Sequence, residues 1–447
     1  MKKRLIVLLP VLVIAAGLAY IGSLAPIITG YAAKNLASGI FVAGRTQESL
    51  EKEDLNFSFI KYNRNTVDYD KKEVTSRFLF WKSKAIYIDG FGCTLLRDFP
   101  EEVIRSRPYV KVELPAEDPD TIPWPSGNRL ADTIPQGINM EKLSRALDKA
   151  LANELPMKGT FAVAVAYRNQ LVAERYREGF SPGNLFLSWS MAKSVTSALA
   201  GILAYEGALD INEPAGIAEW QNDGRKDITL AHLLNMTSGL EWNEDYGSNS
   251  DVNKMLFKKG DMALYTLQKQ AEASPDELWK YASGSTNLVS QLIRKAIGDD
   301  RKYLAFPREA LFNRIGMRSA VFETDPSGNF IGSSYVYATM RDYVRFGLLY
   351  LNDGNWNGEQ ILPEGWVDFT ALPASDSDGQ YGASFWLNRD NDYTGVPADM
   401  FYCRGHDGQY VYIIPSLELV VVRTGFSKKG EFDFREFLRS VVESVDN

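Results

Sequence analysis

The sequence predicts an α+β domain: one antiparallel sheet drawn from both ends of the domain, flanked by helices, with a helical lobe inserted between the ends. Three observations predict it. Residues 159–180, GTFAVAVAYRNQLVAERYREGF, read as two strands around a tight turn at Arg168-Asn169-Gln170. Residues 409–427, QYVYIIPSLELVVVRTGFS, read as two more strands turning at Pro415-Ser416. The sequence between these pairs is mostly helical in pattern.

The elements follow in order. Lys2, Lys3 and Arg4 precede a run with no charged residue until Lys34. That run is longer than a signal-peptide core of roughly 7–15 residues and reaches the ~20 needed to cross a bilayer. The basic start favours a cytoplasmic N-terminus. Residues 1–33 are therefore expected to be a membrane anchor, or else a cleaved signal segment. The rest of the chain then lies in the periplasm or another extracytoplasmic space, held at the inner membrane by one span. Residues 34–138 form an extension and linker. Short β-like runs such as KAIYIDGFGCTLL give way to a Pro/Gly/Asp-rich connector over residues 116–137. The main domain occupies 139–447. It opens with a helix carrying Leu143, Leu147, Ala150 and Leu151 at helical spacing, and it closes with the helical run EFDFREFLRSVVESV.

Composition narrows the function. The 447 residues are 45% hydrophobic and 24% charged, which suits a globular protein with a substantial core. The net charge is −8 and no Lys/Arg-rich run is present, which disfavours nucleic acid as a partner. Two histidines, His232 and His406, without an HExxH pattern, leave little for a zinc site, so neither metal nor cofactor is expected. Two cysteines make no disulfide framework, though one Cys93–Cys403 bridge stays open.

Ser-x-x-Lys occurs twice. Ser58–Lys61 sits in a stretch without helical pattern, where positions i and i+3 face apart, and it is assigned no role. Ser190–Lys193 opens SMAKSVTSALAGILAY, a strong helix pattern with Ser188 as candidate N-cap. There the lysine lies one turn from the serine on the same face. The positive helix end and apolar surroundings lower the lysine pKa toward general-base use, and free backbone N–H groups can hold an oxyanion. A serine near a helix start beside a solvated lysine fits the same stretch. GFSPG, residues 179–183, matches Gly-x-Ser-x-Gly, but Pro182 lacks the N–H that an oxyanion hole needs there, so it reads as a turn. Tyr281 precedes a Ser/Gly-rich turn and a helix, and near a lysine its phenol can shuttle protons; alone it is an ordinary tyrosine at a helix start. His406-Asp407-Gly408 leads into a strand. Gly408 permits close approach of backbone and ligand, and the Gln409 N–H can then donate to an oxyanion; alone, His406 is a surface-loop residue.

Ser-x-x-Lys, then Tyr-x-Ser, then His-x-Gly opening a late strand resemble, in this order, the serine β-lactamase and penicillin-binding-protein superfamily, whose fold is β-lactamase/transpeptidase-like. The likeness is closest to its class C-like branch of esterases, D-aminopeptidases and 6-aminohexanoate-dimer hydrolases. It is carried further by DITLAHLLNMTSGLEW, LFNRIGM and YATMRDYVRFGLLYLNDGNWNGEQIL, and covers about residues 140–445. The resemblance implies that Ser190 is acylated, Lys193 takes its proton, and Tyr281 relays protons to the leaving group and later activates water. It implies an oxyanion hole from the N–H groups of Ser190 and Gln409, and puts His406 where many members carry the lysine of Lys-Thr-Gly. Ser283 replaces the asparagine of Tyr-x-Asn, and a mostly neutral His406 weakens recognition of a substrate carboxylate. Both departures favour an amidase or esterase acting on a small-molecule amide or ester over a dedicated β-lactamase. A non-hydrolytic penicillin- or peptidoglycan-binding sensor, or a D-Ala-D-Ala carboxypeptidase, is the alternative.

Overall fold

A computed structural model describes residues 2–389 and 391–446, the side chains of residues 2–16 and 18 excepted. Helix α1 spans Lys2–Phe41 without interruption. A small antiparallel sheet follows, with β1 Arg64–Asp68, β2 Glu73–Phe78, β3 Trp81–Ile88 and β4 Gly92–Leu95 paired in that order. The second half of α1 lies across one face of this sheet. Ile28, Tyr31, Ala32, Leu36 and Ala37 share a buried cluster with Val74, Ala85, Cys93 and Leu95.

The boundary expected at residue 33 falls inside α1, whose residues 25–37 are mostly buried in the folded body. Among the described residues no helix is long and apolar enough to cross a membrane. The N-terminal part of the expected span, residues 5–16, lies outside the described side chains. At Lys34 the helix is pinned to the main domain: its ammonium pairs with the buried Glu323 carboxylate, which also accepts from Ser38 Oγ at 2.8 Å and from the Cys93 N–H at 2.6 Å. Cys93 and Cys403 are both buried free thiols.

The main domain begins with α2, Met140–Leu151, whose buried face is Leu143, Ala146, Leu147 and Ala150. Strands β5 Thr160–Tyr167 and β6 Gln170–Tyr176 follow, joined at Arg168-Asn169, both with positive φ as a tight hairpin turn requires. The lobe between the strand groups contains α3 Ala192–Tyr205, α4 Ser283–Ile297 and α5 Met340–Leu351. Strands β7 Trp386–Leu387, β8 Phe401–Gly405, β9 Gln409–Ile414 and β10 Leu419–Gly425 complete the large sheet, and α6, Phe434–Val442, ends the domain. The sheet order is β7-β8-β9-β10-β5-β6, so β10 closes on β5 and the two ends of the domain share one sheet.

Both faces of that sheet are covered, as period-two alternation demands. Val163, Val165 and Val421 pack on α2 and α6, while Ala164, Val411 and Val420 pack on the helical lobe. Helix α3 is buried all round over residues 192–203, with Lys193, Ser194 and Thr196 hydrogen-bonded inside the fold. Gly347 lets α5 come close to the sheet: a Cβ there would stand 2.6 Å from Val420 Cγ1.

Candidate active site

The chain enters α3 through a tight turn at Trp189–Met191, and Ser190 sits in this turn rather than in the first turn of the α-helix. Ser188 is not the N-cap expected. Its hydroxyl donates to Trp189 O at 2.9 Å and accepts from the Val336 N–H at 3.1 Å, tying the turn to the neighbouring strand. Trp189 takes φ +46, a conformation costly for a bulky residue. Tertiary contacts hold it there: its ring stacks on Tyr31 of α1 at 6.1 Å and packs against Tyr335 at 5.8 Å and His406 at 5.4 Å. Strand β8 comes so close to this turn that a Cβ on Gly405 would lie 2.2 Å from Ser188 O.

Lys193, one helical turn on, is buried with Ser190. Its Nζ lies 3.1 Å from Ser190 Oγ, 2.9 Å from Ser283 Oγ and 3.1 Å from Ser333 O. The Ser283 hydroxyl is itself donated to Glu244 Oε1, and the Ser283 N–H donates to Glu244 Oε2 at 2.9 Å. Ser283 Oγ therefore accepts from the lysine, and a carbonyl can only accept. A neutral amine has two N–H bonds, which these two acceptors use, so its lone pair faces the Ser190 hydroxyl. Burial holds the Lys193 pKa down to about 8, against the opposing pull of Glu244.

Tyr281 closes the site from the N-terminal end of α4. Its hydroxyl interacts with Ser190, and Lys193 Nζ lies 4.8 Å from its ring centroid. Burial, reinforced by Glu244, pushes its pKa above that of a free phenol, so Tyr281 is a phenol at neutral pH and not a phenolate. His406 stacks on Tyr246 at 4.5 Å, and burial lowers its pKa to about 4, leaving it neutral. Ser190, Tyr281, Arg404, His406 and Trp386 line a single cleft of about 900 Å³.

The sequence-predicted residues do not all face this cleft. Ser283 is fully buried between Lys193 and Glu244, where it positions the amine and leaves no surface for substrate. Gly408 does line the cleft, beside His406 and Asp407, and its lack of a side chain also makes room for Arg423, whose Nη1 would lie 2.2 Å from a Cβ there. Gln409 opens β9 opposite Gly405, with its side-chain amide donating to Gly425 O at 2.6 Å. His232 is structural: it completes a capping box with Thr229 and meets Asp276 at 3.1 Å. Ser58 and Lys61 are exposed, Lys61 in a short helical turn at Ile60–Tyr62, and neither lines the cleft.

Glu244 and Ser333 were not legible in the sequence. Glu244 lies in GLEWNEDYG, a loop with no periodicity, and meets Ser283 across 39 residues of chain. Among the described residues no group of three or more His, Cys, Asp or Glu side chains is placed to hold a metal ion.

An antiparallel sheet closed by both ends of the domain, with a buried serine–lysine pair at the mouth of a cleft beside it, defines a serine hydrolase. The family model described as Beta-lactamase matches residues 154–438, and the chain belongs to that family. A 6-aminohexanoate-dimer hydrolase of Paenarthrobacter ureafaciens is 24% identical over 294 residues, 59% of this chain and 72% of the relative. A Bacillus anthracis structure assigned as a 6-aminohexanoate-dimer hydrolase is 25% identical with a TM-score of 0.56, covering 73% of this chain and 87% of its own. A family VIII carboxylesterase shares the fold at 17% identity and a TM-score of 0.53, covering 69% of this chain and 98% of its own.

Proposed function

We propose that this protein cleaves a small amide or ester through a covalent acyl-enzyme on Ser190. One observation carries the reading: the two fixed acceptors around Lys193 leave its lone pair for the Ser190 hydroxyl. In the forward step Lys193 takes the Ser190 proton as Oγ attacks the substrate carbonyl. The N–H groups of Ser190 and Gln409 receive the oxyanion. The Tyr281 phenol gives its proton to the leaving amine or alcohol and recovers one through Lys193. Water then enters, loses a proton to the same pair, and releases the acid. Glu244, through Ser283, orients the amine and favours its charged form after proton transfer. The relatives suggest linear amides of the 6-aminohexanoate type, with short-chain esters as surrogate substrates. Ser190→Ala should abolish nitrophenyl-ester hydrolysis and fluorophosphonate labelling together. Labelling that survives in that variant moves the nucleophile elsewhere.

The proposal extends to location. Residues 5–23 form a single inner-membrane span, with Lys2, Lys3 and Arg4 in the cytoplasm and the catalytic domain in the periplasm or another extracytoplasmic space. The uncharged apolar run supports this, as does Tyr20, 66% exposed where α1 leaves the folded body. Retention of the full chain in carbonate-washed membranes tests it; release into the wash refutes it.

A further inference from the structure

The β2–β3 hairpin ends in an apolar tip. Phe78 and Trp81 pair across the strands, and Leu79 and Phe80 make the turn between them, with Phe80 71% exposed. The Phe80 and Trp81 rings lie 4.2 Å apart. Trp81 seats against α1 at Gly22, where a Cβ would stand 3.1 Å from the indole. The tip therefore flanks α1 at the level where the helix passes from buried residues to the exposed Tyr20. Phe59, itself exposed, extends the patch by an edge contact with Phe78, and exposed Tyr62 lies beside it.

Cations stand directly behind this tip. Arg64 pairs with Arg77 across β1–β2, and Arg77 with Lys82 across β2–β3, so the three project from one face of the sheet in a row. That face is opposite the one carrying Val74, Ser76 and Ala85, which α1 covers. All three cations are exposed, and none forms an ion pair among the described residues. Like charges directly opposite on neighbouring strands are unfavourable, and an anion at this face would relieve them.

We propose that this tip and its row of cations are a seat on the bilayer surface, with Phe80 and Trp81 at the headgroup–acyl boundary and Arg64, Arg77 and Lys82 on anionic lipid headgroups. Aromatic rings backed by basic residues suit that boundary. Helix length agrees: residues 5–22 rise about 27 Å at ~1.5 Å each, close to the ~30 Å hydrocarbon core, so the helix meets the interface where Trp81 packs on it. The proposal rests on the membrane reading of residues 5–23. It fixes the domain against the bilayer through two elements rather than leaving it on a swivel.

The test uses the full chain in vesicles of phosphatidylcholine, alone or mixed with phosphatidylglycerol. Both native cysteines are buried, so Phe80→Cys and, as control, the exposed Leu372→Cys can be labelled selectively with an environment-sensitive fluorophore. The label at position 80 should shift to the blue and be quenched by brominated lipid, and the label at 372 should do neither. Adding Arg77→Glu and Lys82→Glu should reduce quenching at position 80 several-fold in the anionic vesicles and little in the neutral ones. A chain that floats with the vesicles while position 80 stays in water overturns the seat and leaves the anchor standing. A blue shift without quenching marks a protein contact and likewise overturns it. A chain that does not float overturns both.

Discussion

Ser283 Oγ lies 2.9 Å from Lys193 Nζ and donates its own hydrogen bond to Glu244, so a hydroxyl 90 residues away decides which way the lysine lone pair points. The residue at the third position of the Tyr-x-Ser motif thus works on the general base and not on the substrate.

The pH dependence follows from Lys193. Its pKa is lowered to about 8, and only the free amine can take the serine proton. kcat/KM should rise with pH up to about 8 and level off above it. Below that point it should fall about tenfold per unit as the ammonium form takes over. A profile that stays flat from weakly acidic to weakly basic pH would exclude Lys193 as the titrating base.

Glu244→Gln should act in two ways. Losing the carboxylate removes the charge that holds protons on Lys193, so the acidic limb of the profile should move to lower pH. Losing one of the two acceptor oxygens that fix Ser283 should lower kcat by about 10–100-fold, short of the 10²–10⁴-fold expected for Lys193→Ala. A drop in kcat with the limb unmoved would reduce Glu244 to a structural role.

The Lys34–Glu323 pair joins α1 to the main domain in a fully buried setting. Lys34→Ala strands a carboxylate without a cation and should destabilise by about 3–5 kcal/mol in denaturant unfolding. Replacing both partners by apolar residues of similar volume should recover much of that loss. Equal losses in the single and double variants would show that the ion pair itself is not the cause.

Gly405→Ala places a methyl group against Ser188 O, a backbone atom with nowhere to move. Strand β8 must then separate from the Ser190 turn. Ester hydrolysis should fall about 100-fold or more, since roughly 1 Å of misplacement carries such a cost. Near wild-type activity would mean that the turn and strand do not cooperate.

Sequence alone determined the sheet and its closure by both ends. Strand alternation at 159–180 and 409–427 is local, and the hairpin turns are written in their own residues. It also marked Ser190 and Lys193 as candidate partners, because a spacing of three beside a strong helix pattern can bring the two side chains together. Only the tertiary structure decided the rest. Ser190 left the α-helix for a strained turn because Tyr31, Tyr335 and His406 hold Trp189 from three distant parts of the chain. Ser283 turned inward because its partner, Glu244, is brought by folding and not by spacing. Residues 25–33 read as a continuation of a membrane span, since hydropathy is the same for lipid and for protein core; in the fold the small sheet covers them.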